Sequence, residues 1–376
     1  CPMIQRSIEK NIQKRLNDSK AVIVFGPRQT GKTTLLHQLF DNNKNVVWWN
    51  GDEPDLRSQL ENVTSGLLRS MLGKSKILII DEAQRIQDIG IIIKLIKDNI
   101  KTIKVIATGS SSFELANKIN EPLTGRKWEF MLFPFSFGEM VNYHGLIEEK
   151  RLLEHRLIYG YYPDVVNNAG DEIPILRTIA SSYLYKDILT WERIQKPQNM
   201  EKLVQALAFQ IGNEVSYSEL GRTCGMDNET VEKYILLLER AFIIFRLGSL
   251  SRNLRSELKK SRKIYFYDNG LRNSVINQFN PVGLRNDKGA LWENFIISER
   301  MKHNEYNNLF VNRYFWRTKD QQEIDYIEEY DGILHAYEFK WKNSGKSSCP
   351  KPFSNAYENS TCQIISPQNF EEFILQ

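Results

Sequence analysis

Short apolar runs alternate with longer segments in which apolar positions recur every three or four residues. The first third contains apolar runs at 21–25 and 77–80 and a third predicted strand at 103–108, followed by an aromatic, apolar stretch from Trp128 to Phe133. Continuous apolar runs of this length are typical of strands buried on both faces of a parallel sheet. Residues 148–211 show mostly helical spacing. The pattern therefore predicts an α/β domain with a parallel sheet, followed by a helical region.

Residues 200–268 predict three helices and then two strands. A short helix begins near Ser216, Gly225 makes a turn, and Asp227 or Asn228 caps the next helix. This order is typical of a helix-turn-helix followed by a two-stranded wing. Such modules bind DNA with the third helix or bind other proteins, and the mixed charge of the third helix leaves both functions open.

The last segment predicts a helix from about residue 289 and strands at 310–316, 323–327 and 333–341. Asp331-Gly332 is a strong hairpin signal, so the last two strands should be antiparallel neighbours. The chain has 376 residues, enough for two or three domains, and 41% apolar with 26% charged residues is typical of a globular protein.

Cysteine spacing and apolar runs exclude several classes of protein. Four scattered cysteines without a CxxC pair support neither a zinc ribbon nor a disulfide scaffold, so a reducing cytoplasm is the simplest compartment. No apolar run approaches the ~18–20 residues that a membrane span needs, so we expect no membrane association.

The first predicted strand runs into a GxxxxGK[ST] motif that opens a helix, which is the arrangement of a phosphate-binding loop. Backbone N–H groups and the helix N-terminus would bind phosphates of ATP. Lys32 would contact the β- and γ-phosphates, and Thr33 would bind Mg²⁺. The predicted nucleotide-binding residues are Gly26, Pro27, Arg28, Gln29, Thr30, Gly31, Lys32, Thr33 and Thr34.

The second buried strand ends in two carboxylates. Asp81 would belong to the magnesium shell, and Glu82 would act as general base on the attacking water. At the tip of the third strand, Thr108 and Ser110 would sense the γ-phosphate or cap a helix, two interpretations of equal weight. Arg126 is a candidate arginine finger, acting on its own site or on a neighbouring subunit of a homo-oligomer, although a loop arginine is usually only solvated.

These motifs, with the Leu-x-Gly-Arg and Pro-Phe-Ser-Phe-x-Glu runs that follow them, resemble prokaryotic AAA+-type ATPases that carry a C-terminal domain related to restriction-type nucleases. The resemblance implies an ASCE-type P-loop sheet in which another strand separates the two motif strands. The predicted α/β fold class combines this sheet with a helical lid, a winged helix and a nuclease-like domain. The predicted segments are an N-terminal helix (1–19), the ATPase domain (20–145), the helical lid (146–199), the winged-helix region (200–285) and the nuclease-like domain (286–376).

Positive charge is concentrated at one place in the chain. Seven basic residues and one acidic residue lie between Arg246 and Lys263, whereas the whole chain has a net charge of +4. A local excess of this kind attracts phosphate backbones without reading sequence, so residues 246–263 are a candidate DNA contact. The alternative is a solvated basic loop.

The predicted hairpin carries the Asp…Glu-x-Lys pattern of PD-(D/E)xK nucleases. Asp325 and Glu338 would hold Mg²⁺ or Mn²⁺, with Glu293 adding to the metal shell. Lys340 would orient or activate the attacking water, so Asp325, Glu338 and Lys340 are the candidate catalytic residues. Resemblance to a nuclease fold does not establish cleavage.

The leading hypothesis is a Mg-ATP-dependent ATPase that acts on or regulates DNA. A second hypothesis, a nucleotide switch that acts through protein contacts, keeps the nuclease-like domain for binding alone. A third, a defence or toxin–antitoxin effector, cannot be separated from the first by sequence.

Overall fold

The computed structural model describes residues 3–110, 118–182, 197–250, 262–318, 320–342 and 349–376. The chain divides into two compact units. The N-terminal unit comprises Cys1–Pro134 with Arg240–Phe242, and the C-terminal unit comprises Phe135–Glu239 with Ile243–Gln376.

The N-terminal unit alternates strands and helices. Its elements are α1 (Glu9–Lys14), β1 (Ala21–Phe25), α2 (Lys32–Phe40), β2 (Val46–Asn50), α3 (Pro54–Leu60), α4 (Ser65–Leu72), β3 (Ile77–Asp81), α5 (Ile89–Asn99), β4 (Lys104–Gly109) and β5 (Lys127–Met131). The five strands form one parallel sheet in the order β2-β3-β4-β1-β5. A parallel sheet built from alternating strands and helices is the α/β architecture that the apolar runs predict.

Burial follows the position of each strand in this sheet. Every residue of β1 and β4 is buried, because strands on both sides and helices on both faces exclude water from them. The edge strands β2 and β5 are only partly buried. Strand β4 lies between β1 and β3, which confirms the strand separation that the family resemblance implies. The carboxyl ends of β1, β3 and β4 therefore meet at one edge of the sheet.

The C-terminal unit begins with short helices, α6 (Phe137–His144), α7 (Leu146–Arg151), α8 (Leu153–Tyr159), α9 (Pro163–Asn167) and α10 (Glu172–Ile179). Helix α6 starts with a capping box between Ser136 and Glu139, so this part of the family-like run stabilises a helix end. Tyr161 and Tyr162 are buried and belong to the hydrophobic core of this unit.

The predicted helix-turn-helix region forms α11 (Pro197–Phe209), β6 (Glu214–Val215), α12 (Tyr217–Cys224), α13 (Asn228–Arg240), β7 (Ile244–Ser249) and β8 (Arg262–Phe266). Gly225 ends α12 in the left-handed conformation at φ +70°, and the side chain of Asp227 accepts a hydrogen bond from the Thr230 backbone at 2.7 Å. Strands β7 and β8 are antiparallel, and β6 pairs with β8.

The remaining elements are α14 (Asn269–Val275), α15 (Lys288–Tyr306), β9 (Asn312–Arg317), β10 (Glu323–Tyr330), β11 (Ile333–Phe339), α16 (Lys351–Ala356), β12 (Ser360–Ile365) and α17 (Phe370–Leu375). Asp331 and Gly332 both have positive φ and join β10 to β11, which confirms the hairpin. All strands of this unit form one mixed sheet in the order β12-β11-β10-β9-β7-β8-β6. The predicted wing strands therefore share a sheet with the predicted nuclease-like strands, because β7 pairs with β9.

Two of the cysteines form a disulfide, which the sequence does not predict. Cys349 and Cys362 form a disulfide, and their side chains pack against the core around Phe353. Their spacing in sequence does not reveal this contact, because the fold rather than chain proximity brings the start of α16 beside β12. No helix in the described ranges is long and apolar enough to cross a membrane.

Candidate functional site

The phosphate loop, residues 26–33, connects β1 to the first turn of α2. Gly31 precedes the helix at φ +87°, a left-handed conformation in which a Cβ atom would be strained. The Thr30 hydroxyl donates to the Pro27 carbonyl oxygen at 2.8 Å and closes the loop on itself. Sequence and geometry therefore agree on a preformed loop at the carboxyl end of a buried strand.

Lys32 is the buried cation of this loop, with 6% of its surface exposed. Its Nζ donates to the carbonyl oxygens of Gly26 at 2.9 Å and Pro27 at 2.7 Å. Burial lowers the pKa of Lys32 to about 8, and the nearby carboxylates of Glu82 and Asp81 oppose that shift. The ammonium thus donates to neutral acceptors, and the nearby carboxylates offset only part of the effect of burial.

Asp81 at the end of β3 joins the phosphate loop to the tip of β4. The Thr33 hydroxyl donates to Asp81 Oδ2 at 2.7 Å, and the Thr108 hydroxyl donates to Asp81 Oδ1. A hydroxyl and a carboxylate in contact at this position are the ligand types that hold Mg²⁺ in a P-loop site. Thr33 and Asp81 fit magnesium, since both would offer it an oxygen ligand at the edge of the sheet that carries the phosphate loop.

Glu82 follows Asp81 with φ +47°, a left-handed conformation at a residue other than glycine. Its Oε2 accepts hydrogen bonds from Gln84 Nε2 at 2.6 Å and from the Ser110 hydroxyl at 3.4 Å. Gln84 Nε2 also donates to the Ser110 hydroxyl at 3.0 Å. The buried Gln84 Oε1 has no hydrogen-bond partner, which leaves an acceptor available beside the carboxylate.

Two residues of this site are missed by sequence reasoning. Gln84 has a local signal, because it lies two positions after Glu82 in the same turn. Arg6 has none: its guanidinium donates to the carbonyl oxygens of Thr30 at 2.7 Å and Phe133 at 2.6 Å from a segment before α1. Arg6 braces the phosphate loop through its backbone.

The other predicted nucleotide-site residues differ in their positions. Arg28, Gln29 and Thr34 lie on the loop or the first turn of α2, and Gln29 has φ +60°. Arg126 lies just before β5, at the amino end of the strand and roughly 16 Å of sheet away from the phosphate-loop edge. It pairs there with Asp98 at 3.4 Å. The structure therefore does not bring Arg126 to the phosphate loop of its own chain.

A second group of charged residues lies in the C-terminal unit. We call Glu293, Glu323 and Asp325 the carboxylate cluster. Lys263 of β8 lies among them with 1% of its surface exposed; its Nζ donates to Glu293 Oε1 at 3.2 Å and to Glu323 Oε1. Burial lowers the pKa of Lys263, but the three carboxylates outweigh burial and raise it overall. Burial and the charge of Asp325 raise the pKa of Glu293 to about 7.

The predicted nuclease-like residues occupy neighbouring positions on the hairpin. Pairing of Tyr326 with Tyr337 puts Asp325 beside Glu338 on adjacent strands. Asp325 Oδ2 accepts a hydrogen bond from the Phe339 backbone N–H at 2.8 Å. Lys340 Nζ lies 3.4 Å from Glu338 Oε2, and this pair is partly exposed.

The carboxylates of this hairpin are not part of a group of three or more metal-ligand side chains in the described residues. In the part of the chain that the structure describes, no three His, Cys, Asp or Glu side chains come together in a way that could hold a metal ion. Glu293, which the sequence predicts as a metal ligand, contacts Lys263 and the Tyr265 hydroxyl instead. The carboxylate of Glu293 therefore already has a cationic partner.

Part of the predicted basic contact has a different role. Arg252, Arg255, Lys259 and Lys260 lie outside the described residues. Arg246 pairs with Glu239, and Arg262 stacks over the Tyr217 ring. Lys263 is buried among carboxylates, so its assignment to an exposed phosphate-binding patch is wrong.

Comparison with known proteins agrees with the fold of the N-terminal unit. Residues 18–141 match the family model described as "AAA domain". Residues 150–282 and 288–372 match two domains of unknown function, DUF8612 and DUF4143. The Walker-type ATPase of Pyrococcus abyssi has a similar fold, with a TM-score of 0.52 and 14% identity over 73% of this chain and 96% of that chain. Fold and phosphate loop together define an AAA-type P-loop ATPase fold.

Two relatives that match most of the chain are themselves uncharacterized proteins. An uncharacterized protein of Mycobacterium tuberculosis is 26% identical over 345 residues, 90% of this chain and 75% of the relative. An uncharacterized protein of Haemophilus influenzae is 25% identical over 348 residues, 83% of this chain and 80% of the relative. Both alignments span most of the chain, and neither extends the ATPase assignment beyond the fold.

Proposed function

We propose that the protein binds and hydrolyses ATP with Mg²⁺ at the phosphate loop, and that this cycle regulates its action on DNA. The contact of the Thr33 hydroxyl with Asp81 Oδ2 at 2.7 Å carries the proposal. It supplies a hydroxyl and a carboxylate oxygen beside a phosphate loop, which is the combination that Mg-nucleotide binding requires.

Each residue of the site has a distinct part in this proposal. The loop N–H groups would bind phosphate oxygens, and Lys32 would exchange its two carbonyl acceptors for the β- and γ-phosphates. Thr33 and Asp81 would hold Mg²⁺, which neutralises developing phosphate charge. Glu82 would accept the proton of the attacking water, with Ser110 and Gln84 holding its carboxylate in position.

Phosphate release from ATP tests this assignment. We expect Lys32→Ala to abolish nucleotide binding and turnover, because it removes the only side-chain ammonium that the described loop residues supply. Lys44→Ala is the matched control, since Lys44 is an exposed lysine of the same unit. Unchanged ATPase activity in the Lys32→Ala protein would contradict the site.

The action on DNA rests on the charge of residues 246–263, together with the order of helices and strands in 197–266, which is compatible with a winged helix. In this proposal the protein is cytoplasmic, and Arg126 serves a neighbouring subunit of a homo-oligomer, since it lies at the opposite edge of its own sheet.

A second candidate function is a nucleotide switch whose C-terminal domain binds DNA without cleaving it. The burial of Lys263 among the carboxylate cluster favours this candidate over cleavage, because an internal cation already pairs with Glu293, one of the three predicted metal ligands. Plasmid and single-stranded DNA incubated with Mg²⁺ or Mn²⁺, with and without ATP, separate the two. Cleavage that Asp325→Ala abolishes would establish a nuclease; no cleavage under any condition would support the switch.

A further inference from the structure

We propose that the ammonium of Lys263 is the resident cation of the carboxylate cluster, and that it takes the place of a divalent metal ion there. The wild-type chain would then bind no divalent cation at Glu293, Glu323 and Asp325. This inference goes beyond the proposed ATPase function and does not depend on it, because the cluster belongs to the C-terminal unit and its test needs no nucleotide.

The path of the side chain is the first argument. Lys263 starts on β8 and passes the ring of Phe315 on β9, with Nζ 5.5 Å from the ring centroid. Its Nζ then contacts Glu293 on α15 and Glu323 on β10. One ammonium thus joins a helix and two strands, and 1% exposure leaves water little access to it.

The second argument is that oxygens of the carboxylate cluster already accept hydrogen bonds. Glu293 Oε1 accepts from Lys263 and from the Tyr265 hydroxyl at 2.6 Å. Asp325 Oδ2 accepts from the backbone of Phe339 at 2.8 Å. Mg²⁺ and Mn²⁺ require several oxygen ligands in an open octahedral arrangement, so a metal would have to displace these donors.

Charge supplies the third argument. Arg317 adds a cation 3.8 Å from Glu323, so Lys263 and Arg317 already offset most of the negative charge of the cluster. A divalent ion entering beside a buried ammonium would meet like-charge repulsion in a region of low dielectric constant. The hydrogen bonds of the carboxylates and the positive charge of Lys263 therefore both disfavour binding of a divalent cation.

Titration of the nucleotide-free, full-length protein with Mn²⁺ tests the inference, with isothermal calorimetry as the readout. We expect wild-type, Glu293→Gln and Asp325→Asn proteins to give the same weak background. We expect Lys263→Met to gain a site at least tenfold tighter than any binding to the wild-type protein. Adding Glu293→Gln and Asp325→Asn to Lys263→Met should remove that site.

Lys263→Arg is the matched control, because it keeps a cation at this position and should gain no site. Stoichiometric Mn²⁺ binding to wild-type protein that Asp325→Asn removes would overturn the inference, and so would a folded Lys263→Met protein that gains no site. If Lys263→Met does not fold, the comparison of wild type with Asp325→Asn decides by itself, since metal binding lost in Asp325→Asn contradicts the inference and identical backgrounds support it.

Discussion

Each unit of the protein contains a buried lysine close to carboxylates, and the two lysines differ in the charge of their hydrogen-bond partners. Lys32 donates to the neutral carbonyl oxygens of Gly26 and Pro27. Lys263 donates to the carboxylates of Glu293 and Glu323. Both side chains are almost inaccessible to water, so burial alone does not distinguish them.

The partners decide what each lysine can bind. Lys32 donates to carbonyl oxygens, and the carboxylates near it do not offset burial, which lowers its pKa to about 8. An incoming phosphate would supply further negative charge. The carboxylates around Lys263 compensate its charge and raise its pKa despite burial. A lysine with neutral partners is thus suited to recruiting an anion, whereas a lysine with acidic partners is an internal counter-ion.

The largest expected effect is the loss of ATP turnover when a glutamate of the N-terminal unit, rather than of the C-terminal unit, is changed. If ATP turnover belongs to the N-terminal unit, Glu82→Gln should lower kcat by about 10²–10⁴-fold with nucleotide binding retained, because it removes the general base but keeps the hydrogen bonds. Glu293→Gln is the matched change in the C-terminal unit and should leave kcat unaltered. Steady-state phosphate release checks both, and a Glu82→Gln enzyme with wild-type kcat would remove Glu82 from the mechanism.

For stability we expect the larger effect in the C-terminal unit, at Lys263 rather than at Lys32. Lys263→Met leaves buried carboxylates without their cation, so we expect a loss of about 3 kcal/mol in the free energy of unfolding. Lys32→Met removes a cation whose burial outweighs the effect of the nearby carboxylates, so we expect a change within about 1 kcal/mol. Urea unfolding of the two variants measures the difference. Equal losses would show that burial rather than partner charge sets the role of each lysine.

The sequence predicts the N-terminal site well because its signals are local. The phosphate loop, the strand before it and the helix after it are contiguous in the chain. The apolar run also predicts β3, which ends at Asp81 and is followed directly by Glu82. Arg6 escapes prediction since it reaches the loop from a segment 24 residues away from Thr30, and only the fold creates that contact.

The C-terminal cluster is harder to predict because its residues come from distant segments. The hairpin of β10 and β11 has a local signal, and the structure confirms it. Lys263, however, lies in a basic run, so its sequence context predicts an exposed charge. Its burial depends on β8 and β10 belonging to one sheet, and the alternation of polar and apolar residues along a single strand does not show which strands share a sheet.

The pH dependence of ATP affinity would sharpen the contrast further. The pKa of Lys32 in the folded protein, about 8, lies below the ordinary value of 10.5. The unfolded chain therefore binds more protons between these values, and the contribution of Lys32 to stability rises with pH over that window. Binding of phosphates needs the charged form, so the Kd for Mg-ATP should rise about tenfold between pH 7 and pH 9.

Lys32→Arg is the control for this titration. A guanidinium stays charged throughout the range, so any remaining affinity should be nearly independent of pH. A wild-type Kd that does not change between pH 7 and pH 9 would contradict the assignment of a lowered pKa to Lys32. A parallel rise in wild type and Lys32→Arg would trace the dependence to another group.

The smallest expected effect concerns three cations of the basic run 246–263 that lie outside the described residues. Reversal of Arg252, Lys259 and Lys260 to glutamate should weaken DNA binding across all sequences, and should reduce the slope of log K against log salt by about one per lost phosphate contact. The matched control reverses three exposed lysines of the N-terminal unit, Lys44, Lys74 and Lys101, with the same change in net charge. Fluorescence anisotropy at several salt concentrations measures both.

Because the two variants have equal net charge, equal weakening would show that overall charge drives binding, whereas a loss confined to the first variant would locate the contact in residues 246–263. Wild-type affinity in the first variant would exclude this segment from DNA binding and leave the C-terminal unit without a proposed nucleic-acid contact.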